Sequence, residues 1–265
     1  MKTRAAVLHE MGAKKPYKES KPLKIEYLEL DNPSEHEVLI KIHAAGLCHS
    51  DLSVINGNRP RPLPMALGHE ASGEVIKVGK AVTRVSEGDH VVCTFIPSCG
   101  KCIPCKEGRP ALCENGAISN EKGEMLEGGM RLSNDEGKVY HHLGISGFAE
   151  YSVVSENSIV KIDKKIPFER AAAFGCAIIT GIGAVVNTAQ IRSGSNVAVV
   201  GLGGIGLNAI IGAKLAGANE IIALDINEDK FELAKQFGAT ATFNSSDKDI
   251  DEQIKEYIPG GVEYA

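Results

Sequence analysis

At 265 residues the chain has material for one large or two medium domains, which excludes a small scaffold held only by disulfides. Its 29 Lys and Arg against 34 Asp and Glu leave a formal charge of −5 with no basic block, so nucleic acid is not expected as a partner. With 43% hydrophobic and 24% charged residues, the composition is that of a globular protein rather than a disordered one.

The opening, Met1 to Glu10, lacks the apolar core of a secretory signal, so a cytoplasmic location is expected. From the start to about residue 163 the pattern is short apolar alternations broken by Gly and Pro. Val38, Ile40 and Ile42, then Val75 and Val78, then 91–95 and 151–154, predict strands. After Pro167 the texture changes. It predicts a helix over 168–189, a strand over 196–200, a helix over 204–216, a strand over 220–224, and helices over 227–237 and 247–258. Gly238 is the expected C-terminal glycine of the 227–237 helix. Alternating elements of this kind mean βαβ units and a parallel sheet. The expected fold is therefore a β domain over 1–165 followed by an α/β domain over 166–265. Residues 261–265 read as the opening of a further strand, so the parallel sheet is expected to be incomplete at the C-terminus. Residues 171–191 and 196–213 carry no charge, but their glycines and polar residues fit a buried helix and a buried strand better than a membrane span, and no membrane partner is expected.

Seven cysteines, an odd number without a secretion signal, argue against disulfides. Four form Cys99-x2-Cys102-x2-Cys105-x7-Cys113 in a Gly- and Pro-containing loop, a spacing that suits a tetrahedral, structural Zn²⁺ held by four thiolates. An iron–sulfur cluster is the competing reading, since three of the spacings occur in ferredoxins, but the chain has no second such cluster. Cys48, His69 and Cys176 are far apart in sequence. By spacing alone two buried thiols and an unrelated histidine are the expected reading, with a two-Cys, one-His catalytic metal site as the alternative.

Val197-Ala198-Val199-Val200 runs into Gly201-Leu202-Gly203-Gly204-Ile205-Gly206 and then a helical pattern. This strand, Gly-x-Gly-x-x-Gly turn and helix is the dinucleotide-binding arrangement, in which glycines let the backbone approach a pyrophosphate at the helix N-terminus. Nineteen residues after Gly206 stands Asp225, placed to accept from the ribose hydroxyls and to repel a 2′-phosphate, which favours NAD over NADP.

Gly46-Leu47-Cys48-His49-Ser50-Asp51, Gly68-His69-Glu70 with Gly73 and Val75, the four-Cys loop, Cys176 with Thr180-Gly181, and the Gly-rich turn follow one another in a familiar order. In this the chain resembles the zinc-dependent medium-chain alcohol dehydrogenases. The resemblance implies a GroES-like barrel catalytic domain followed by a Rossmann domain, with one catalytic and one structural Zn²⁺. By position, Cys48, His69 and Cys176 are then the catalytic zinc ligands, and Glu70 is a carboxylate able to approach the metal. Asp51 orients His69, and Ser50 takes the substrate proton. His49 would face the cofactor pyrophosphate; Thr180, Gly201, Gly203, Gly204 and Gly206 would contact the cofactor; Asp225 and Lys230 would bind its adenosine ribose. Phe95 and Ile118 would line the substrate pocket.

The implied chemistry is Lewis-acid activation of a primary or secondary alcohol and hydride transfer to NAD, giving an aldehyde or ketone. Where many members carry a proton-relay histidine this chain has Ser53, so the proton must leave by water, by the ribose or by another base. Residues 114–147, long and polar, resemble the loop of the long-loop branch, which includes the glutathione-dependent formaldehyde dehydrogenases and in which homodimers are common. His141 and His142 are expected to be loop scaffolding there. Two other readings stand beside this one: a non-catalytic zinc- and dinucleotide-binding protein, and a dehydrogenase of a glutathione adduct, to which Arg59 and Arg61 offer charge.

Overall fold

In the computed structural model, which describes residues 1–265, the first part of the chain is built of short strands. β1 (Lys2–Leu8) pairs antiparallel with β2 (Leu23–Leu30), and β3 (Glu37–Gly46) follows. After β4 (Met65–Ala66), β5 (Glu70–Val78) and β6 (His90–Cys93) come β7 (Leu132–Asn134), β8 (Gly137–His141), β9 (Tyr151–Ser155) and β10 (Ile159–Lys161). Strands β1-β2-β7-β8-β4 close into a barrel, and β10-β6-β5-β3-β9 form a five-stranded sheet. The period of two along β3 divides between two cores. Leu39 packs with Val7, Leu28, Leu132 and Val153, while Val38 and Ile40 pack with Val75, Val91 and Val154. Each such side chain, removed from water, contributes about 1.5–3 kcal/mol.

Residues 114–147 are more ordered than a long polar loop. They hold a helix, Glu114–Lys122, and the β7–β8 hairpin that closes the barrel. The expected single helix over 168–189 is also interrupted. Phe168–Ala172 is helical, Ala173–Gly175 is a 3-10 turn, Cys176 leaves the helical region at φ −143°, and helix Ala177–Gly183 follows with a π-helical turn at Ala184–Ala189. The chain is tightly packed at this break, where a Cβ on Gly175 would run into the carbonyl oxygen of Cys93 on β6. No single helix is long and apolar enough to cross a membrane; the pair 168–175 and 177–189 reaches that length only across the break.

Two compact units result, Met1–Cys176 and Ala177–Ala265. The division falls after Cys176 rather than after residue 165 because the helix Phe168–Ala172 is held by the five-stranded sheet. Ser72 Oγ on β5 donates to the Phe168 carbonyl at 2.7 Å, and the rings of His43 and His90 flank the Phe168 ring at 4.4 Å. In the second unit β11 (Val197–Val200), β12 (Ile221–Asp225) and β13 (Ala241–Asn244) form a parallel sheet in that order. Tyr264 makes a parallel bridge to Val197 on the outer side of β11. Val197, Val199, Ile210, Ala213, Ile221 and Ala223 make the core between this sheet and the helix Gly204–Leu215. The 227–237 helix starts as a 3-10 turn, Glu228–Lys230, and ends on Gly238 at φ +127°.

His141 is fully buried at the end of β8. Its Nε2 accepts the Arg131 backbone N–H at 3.0 Å and its Nδ1 lies 3.3 Å from Ser146 Oγ. Burial pushes this imidazole down to about 3. Below its unfolded value, about 6.5, the unfolded chain takes a proton that the folded chain refuses. Stability is therefore unaffected above pH 6.5 and falls as pH drops towards 3, by about 1.4 kcal/mol per pH unit. His141→Gln is expected to remove that share of the slope between pH 7.5 and 5.5 in urea unfolding. Equal slopes for the two proteins would refute it.

Candidate metal centre and dinucleotide loop

The catalytic-type cluster is assembled by a helix cap. Helix His49–Ile55 begins where β3 ends, and Cys48 is its N-cap in extended conformation. The Cys48 sulfur accepts from the Asp51 N–H while the Asp51 carboxylate accepts the Cys48 N–H at 3.4 Å, a capping box built from Cys and Asp in place of Ser and Glu. The short Cys-x-x-Asp spacing therefore both starts the helix and aims a thiol and a carboxylate to one side. Gly68, at φ +94°, turns the chain into β5 and sends its N–H to Asp51 Oδ1 at 3.0 Å. A Cβ at Gly68 would collide with Phe148, so the turn needs glycine. His69 and Glu70 follow at once, both buried.

Cys176, at the break described above, brings its sulfur to 4.0 Å from that of Cys48. The ligand atoms of Cys48, His69, Glu70 and Cys176 all lie within 4.8 Å of one another. Around a tetrahedral Zn²⁺ with Zn–S of about 2.3 Å two sulfurs stand about 3.8 Å apart, so this donor set fits one ion. Gly46 has a specific part in it: a Cβ there would overlap the Glu70 carboxylate, which occupies the space that glycine leaves. The electrostatics favour a cation. Hydrogen bonds from Cys176 and from His69 pull the Cys48 thiol down to about 3, and the same proton, held on Cys176, raises that partner. Burial, then the Cys48 charge, raises Glu70.

Asp51 stands behind His69. Its Oδ2 is 3.2 Å from His69 Nδ1 and its Oδ1 is 3.0 Å from His142 Nδ1. Both are hydrogen-bond lengths, though neither N–H points squarely at its oxygen. Burial alone would raise the Asp51 carboxyl; the donors His142 and His69 outweigh it and hold the group well below the usual range. Reading by spacing gave His142 no part in this group. Only the β4–β8 pairing, which sets the end of β8 beside 65–69, shows the connection.

Of the other residues singled out in the sequence, Ser50 is half-buried in the first helical turn, and its backbone N–H supports the Cys48 thiolate. His49 is exposed. Ser53 Oγ donates to the His49 carbonyl at 2.9 Å and lies 3.3 Å from His49 Nδ1, so a histidine still stands at that end of the helix, from residue 49. The Phe95 ring meets His69 edge-on at 6.0 Å. Ile118 is separate from this group. It lies on the Glu114–Lys122 helix and lines a cavity of about 480 Å³ with His36, Cys99, Met125 and Glu156.

Cys99, Cys102, Cys105 and Cys113 bring their sulfurs within 4.8 Å of one another, with Cys102 and Cys113 at 3.9 Å. That spacing suits one tetrahedral ion and leaves no room for a cluster of several metal atoms. Backbone N–H groups already point at the sulfurs. Cys113 accepts from Cys99 and Gly116, and Cys99 accepts from Lys101 and Cys102, which draws Cys99 down to about 6. Cys93, by contrast, is buried in β6 and pushed up to about 12 by burial, an inert thiol.

In the second unit β11 ends on Gly201, at φ +92°, and Gly203 is the N-cap of the Gly204–Leu215 helix. A Cβ on Gly206 would run into the Gly201 carbonyl, whereas one on Gly203 would meet nothing within 4 Å, so the space before the helix N-terminus is open. This is the cradle a pyrophosphate needs. Asp225 closes it from β12. Its Oδ2 accepts Leu202 N–H at 2.7 Å and Lys230 Nζ at 2.8 Å, its Oδ1 accepts Asn227 N–H at 2.9 Å, and the Lys230 ammonium first of all holds the carboxyl down at about 2. Thr180 lies on the helix Ala177–Gly183, which packs through Gly181 against the Gly204–Leu215 helix.

Comparison with known proteins matches residues 34–164 to the alcohol dehydrogenase GroES-like domain and residues 204–265 to the zinc-binding dehydrogenase domain. The S-(hydroxymethyl)glutathione dehydrogenase of Synechocystis is 44% identical over 268 residues, covering the whole of this chain and 70% of its own length. Among solved structures, an alcohol dehydrogenase zinc-binding domain protein from Burkholderia ambifaria superposes with a TM-score of 0.91 at 38% identity, covering 100% of this chain and 70% of that one. The benzyl alcohol dehydrogenase of Acinetobacter calcoaceticus gives 0.89 at 39%, covering 99% and 69%.

Proposed function

Because the chain belongs to the zinc-dependent medium-chain alcohol dehydrogenase family, we propose that it transfers a hydride between a primary or secondary alcohol and NAD. The observation that carries this reading is the convergence of Cys48, His69, Glu70 and Cys176 on one ion-sized space. A Zn²⁺ bound there supplies a Lewis acid that lowers the pKa of an alcohol hydroxyl, and NAD supplies the hydride acceptor.

The remaining work falls to side chains of this chain. Asp51 keeps a proton on His69 Nδ1, which leaves Nε2 unprotonated as a metal ligand. Ser50 accepts the hydroxyl proton and passes it outward, while Phe95 gives the reacting group an apolar wall. Cys99, Cys102, Cys105 and Cys113 hold a second, structural Zn²⁺. On the cofactor side, His49 serves the pyrophosphate, Thr180 and the glycines at 201, 203, 204 and 206 pack along the dinucleotide, and Asp225 with Lys230 binds the ribose. The buried Asp225 charge supports NAD over NADP. Ile118, a pocket residue on the family pattern, lines the cavity beside Cys99 and is given no part in the substrate pocket. Homodimeric assembly is proposed on the resemblance to the long-loop branch. The acidic balance supports small-molecule partners over nucleic acid, and no membrane partner is proposed.

A second reading, oxidation of a glutathione adduct, draws on Arg59 and Arg61. Neither is ion-paired, and Arg61 Nε is buried without a partner. The test is NADH absorbance at 340 nm with neutral alcohols and with S-(hydroxymethyl)glutathione, after elemental analysis of zinc. Growth with neutral alcohols is expected. Growth only with the anionic adduct, weakened at least several-fold by 0.5 M salt, would select the second reading. Bound NAD and two zincs without turnover of either would refute both and leave a binding protein.

A further inference from the structure

His142 is the one buried histidine near the metal centre that the proposed reaction leaves unused. It is 1% exposed, its Nδ1 lies 3.0 Å from Asp51 Oδ1 but out of line for a full hydrogen bond, and its Nε2 has no polar neighbour to bond. Its ring stands edge-to-face with that of His69, centroids 5.4 Å apart and planes at 85°. The backbone fixes this placement, since the His142 N–H reaches the Ala66 carbonyl and Ser146 Oγ, each at 3.3 Å. The Asp51 carboxylate thus accepts two backbone N–H groups, Cys48 on Oδ2 and Gly68 on Oδ1, and has an imidazole nitrogen close to each oxygen, His69 at 3.2 Å from Oδ2 and His142 at 3.0 Å from Oδ1. Three of these belong to, or adjoin, the candidate ligands Cys48 and His69. Only His142 arrives from elsewhere, just past the end of β8.

We propose that His142 is a positioning residue for the catalytic-type metal: by holding Asp51 Oδ1 it fixes the carboxylate plane, and through it the ring orientation and tautomer of His69. The inference rests on the reading of Cys48, His69 and Cys176 as zinc ligands. For His142 to bond a carboxylate oxygen, its Nδ1 must carry the proton, and the burial of an unpartnered Nε2 favours the neutral ring. Loss of the donor leaves Oδ1 with the Gly68 N–H alone and frees the carboxylate to rotate. Partners that orient metal-bound imidazoles in this way change metal affinity by about 10–100-fold when removed.

The experiment uses the whole chain loaded with zinc, His142→Phe, which keeps a buried ring but no donor, and His142→Asn, whose amide can donate from nearly the same point. Zinc release to a chromogenic chelator is followed with time, the four-Cys site serving as internal control. His142→Phe is expected to speed the phase of the Cys48, His69, Cys176 site by about 10–100-fold with the four-Cys phase unchanged, and His142→Asn to restore most of the difference. Two zincs in wild type, with release from His142→Phe within twofold of it, overturn the inference and leave the functional reading intact. Equal acceleration of both phases, or no rescue by Asn, also overturns it by showing a general packing role. A wild type that holds one zinc, released in a single phase, overturns the ligand reading itself and the inference with it.

Discussion

Cys48→Ser is expected to reduce bound zinc from about two ions per chain to about one and to lower alcohol turnover by about 10³-fold or more, the loss of a Lewis-acid contribution of several kcal/mol. The variant is chosen because Cys48 does two things. It is a candidate ligand, and its side chain is also the N-cap of the His49–Ile55 helix. Serine caps a helix as well or better, so the helix start should survive while the soft, low-pKa sulfur is lost. Cys48→Ala removes both functions and is expected to be further destabilised by about 1 kcal/mol. Elemental analysis and thermal unfolding separate the two effects. Two zincs retained in Cys48→Ser would remove Cys48 from the ligand set, whatever happened to the rate.

What could be read from the sequence divides along physical lines. The four-Cys loop and the Gly-rich turn are legible because all their parts lie within a few residues, where geometry follows from spacing; the structure gathers those sulfurs and opens that cradle. Cys48, His69 and Cys176 have no such local signature, and their grouping came from resemblance to a family. The strands that close the barrel were harder to see. β7 and β8 are three and five residues long and sit in a polar stretch, and β1 carries its apolar residues on a strand buried over most of both faces, so alternation fails in each case. The break at Cys176 is hidden because residues 168–189 are mostly apolar and helix-compatible; it falls beside the close approach of Gly175 to Cys93, 82 residues earlier in the chain. Gly46 and His142 share that character. Each acts on a residue distant in sequence, Glu70 for the one and Asp51 for the other, and only the pairing of strands brings them there.

Two glycines of one loop should fail in different ways. In Gly206→Ala the new Cβ is driven into the Gly201 carbonyl, backbone against backbone, in a turn already committed to φ +92° at Gly201. Neither partner can yield by rotating a side chain, so the turn must open or the helix Gly204–Leu215 must shift from β11. Overpacking of this kind costs about 1–3 kcal/mol or more. Gly203→Ala has no such conflict, since its Cβ meets nothing within 4 Å of the chain and its φ of −82° is ordinary for alanine. That Cβ instead enters the open space before the helix N-terminus, where a pyrophosphate would need the backbone N–H groups at close range. Gly203→Ala is therefore expected to keep its unfolding temperature within a degree or two while the Kd for NAD rises by about tenfold or more, equivalent to about 1.4 kcal/mol. Gly206→Ala is expected to lose NAD binding together with stability of the second unit, while the zinc sites, whose ligands all lie in the first unit, stay filled. Calorimetric titration with NAD, differential scanning calorimetry and zinc content on the same three proteins make the comparison. Unchanged NAD affinity in Gly203→Ala, with the fold intact, would move the dinucleotide away from this loop.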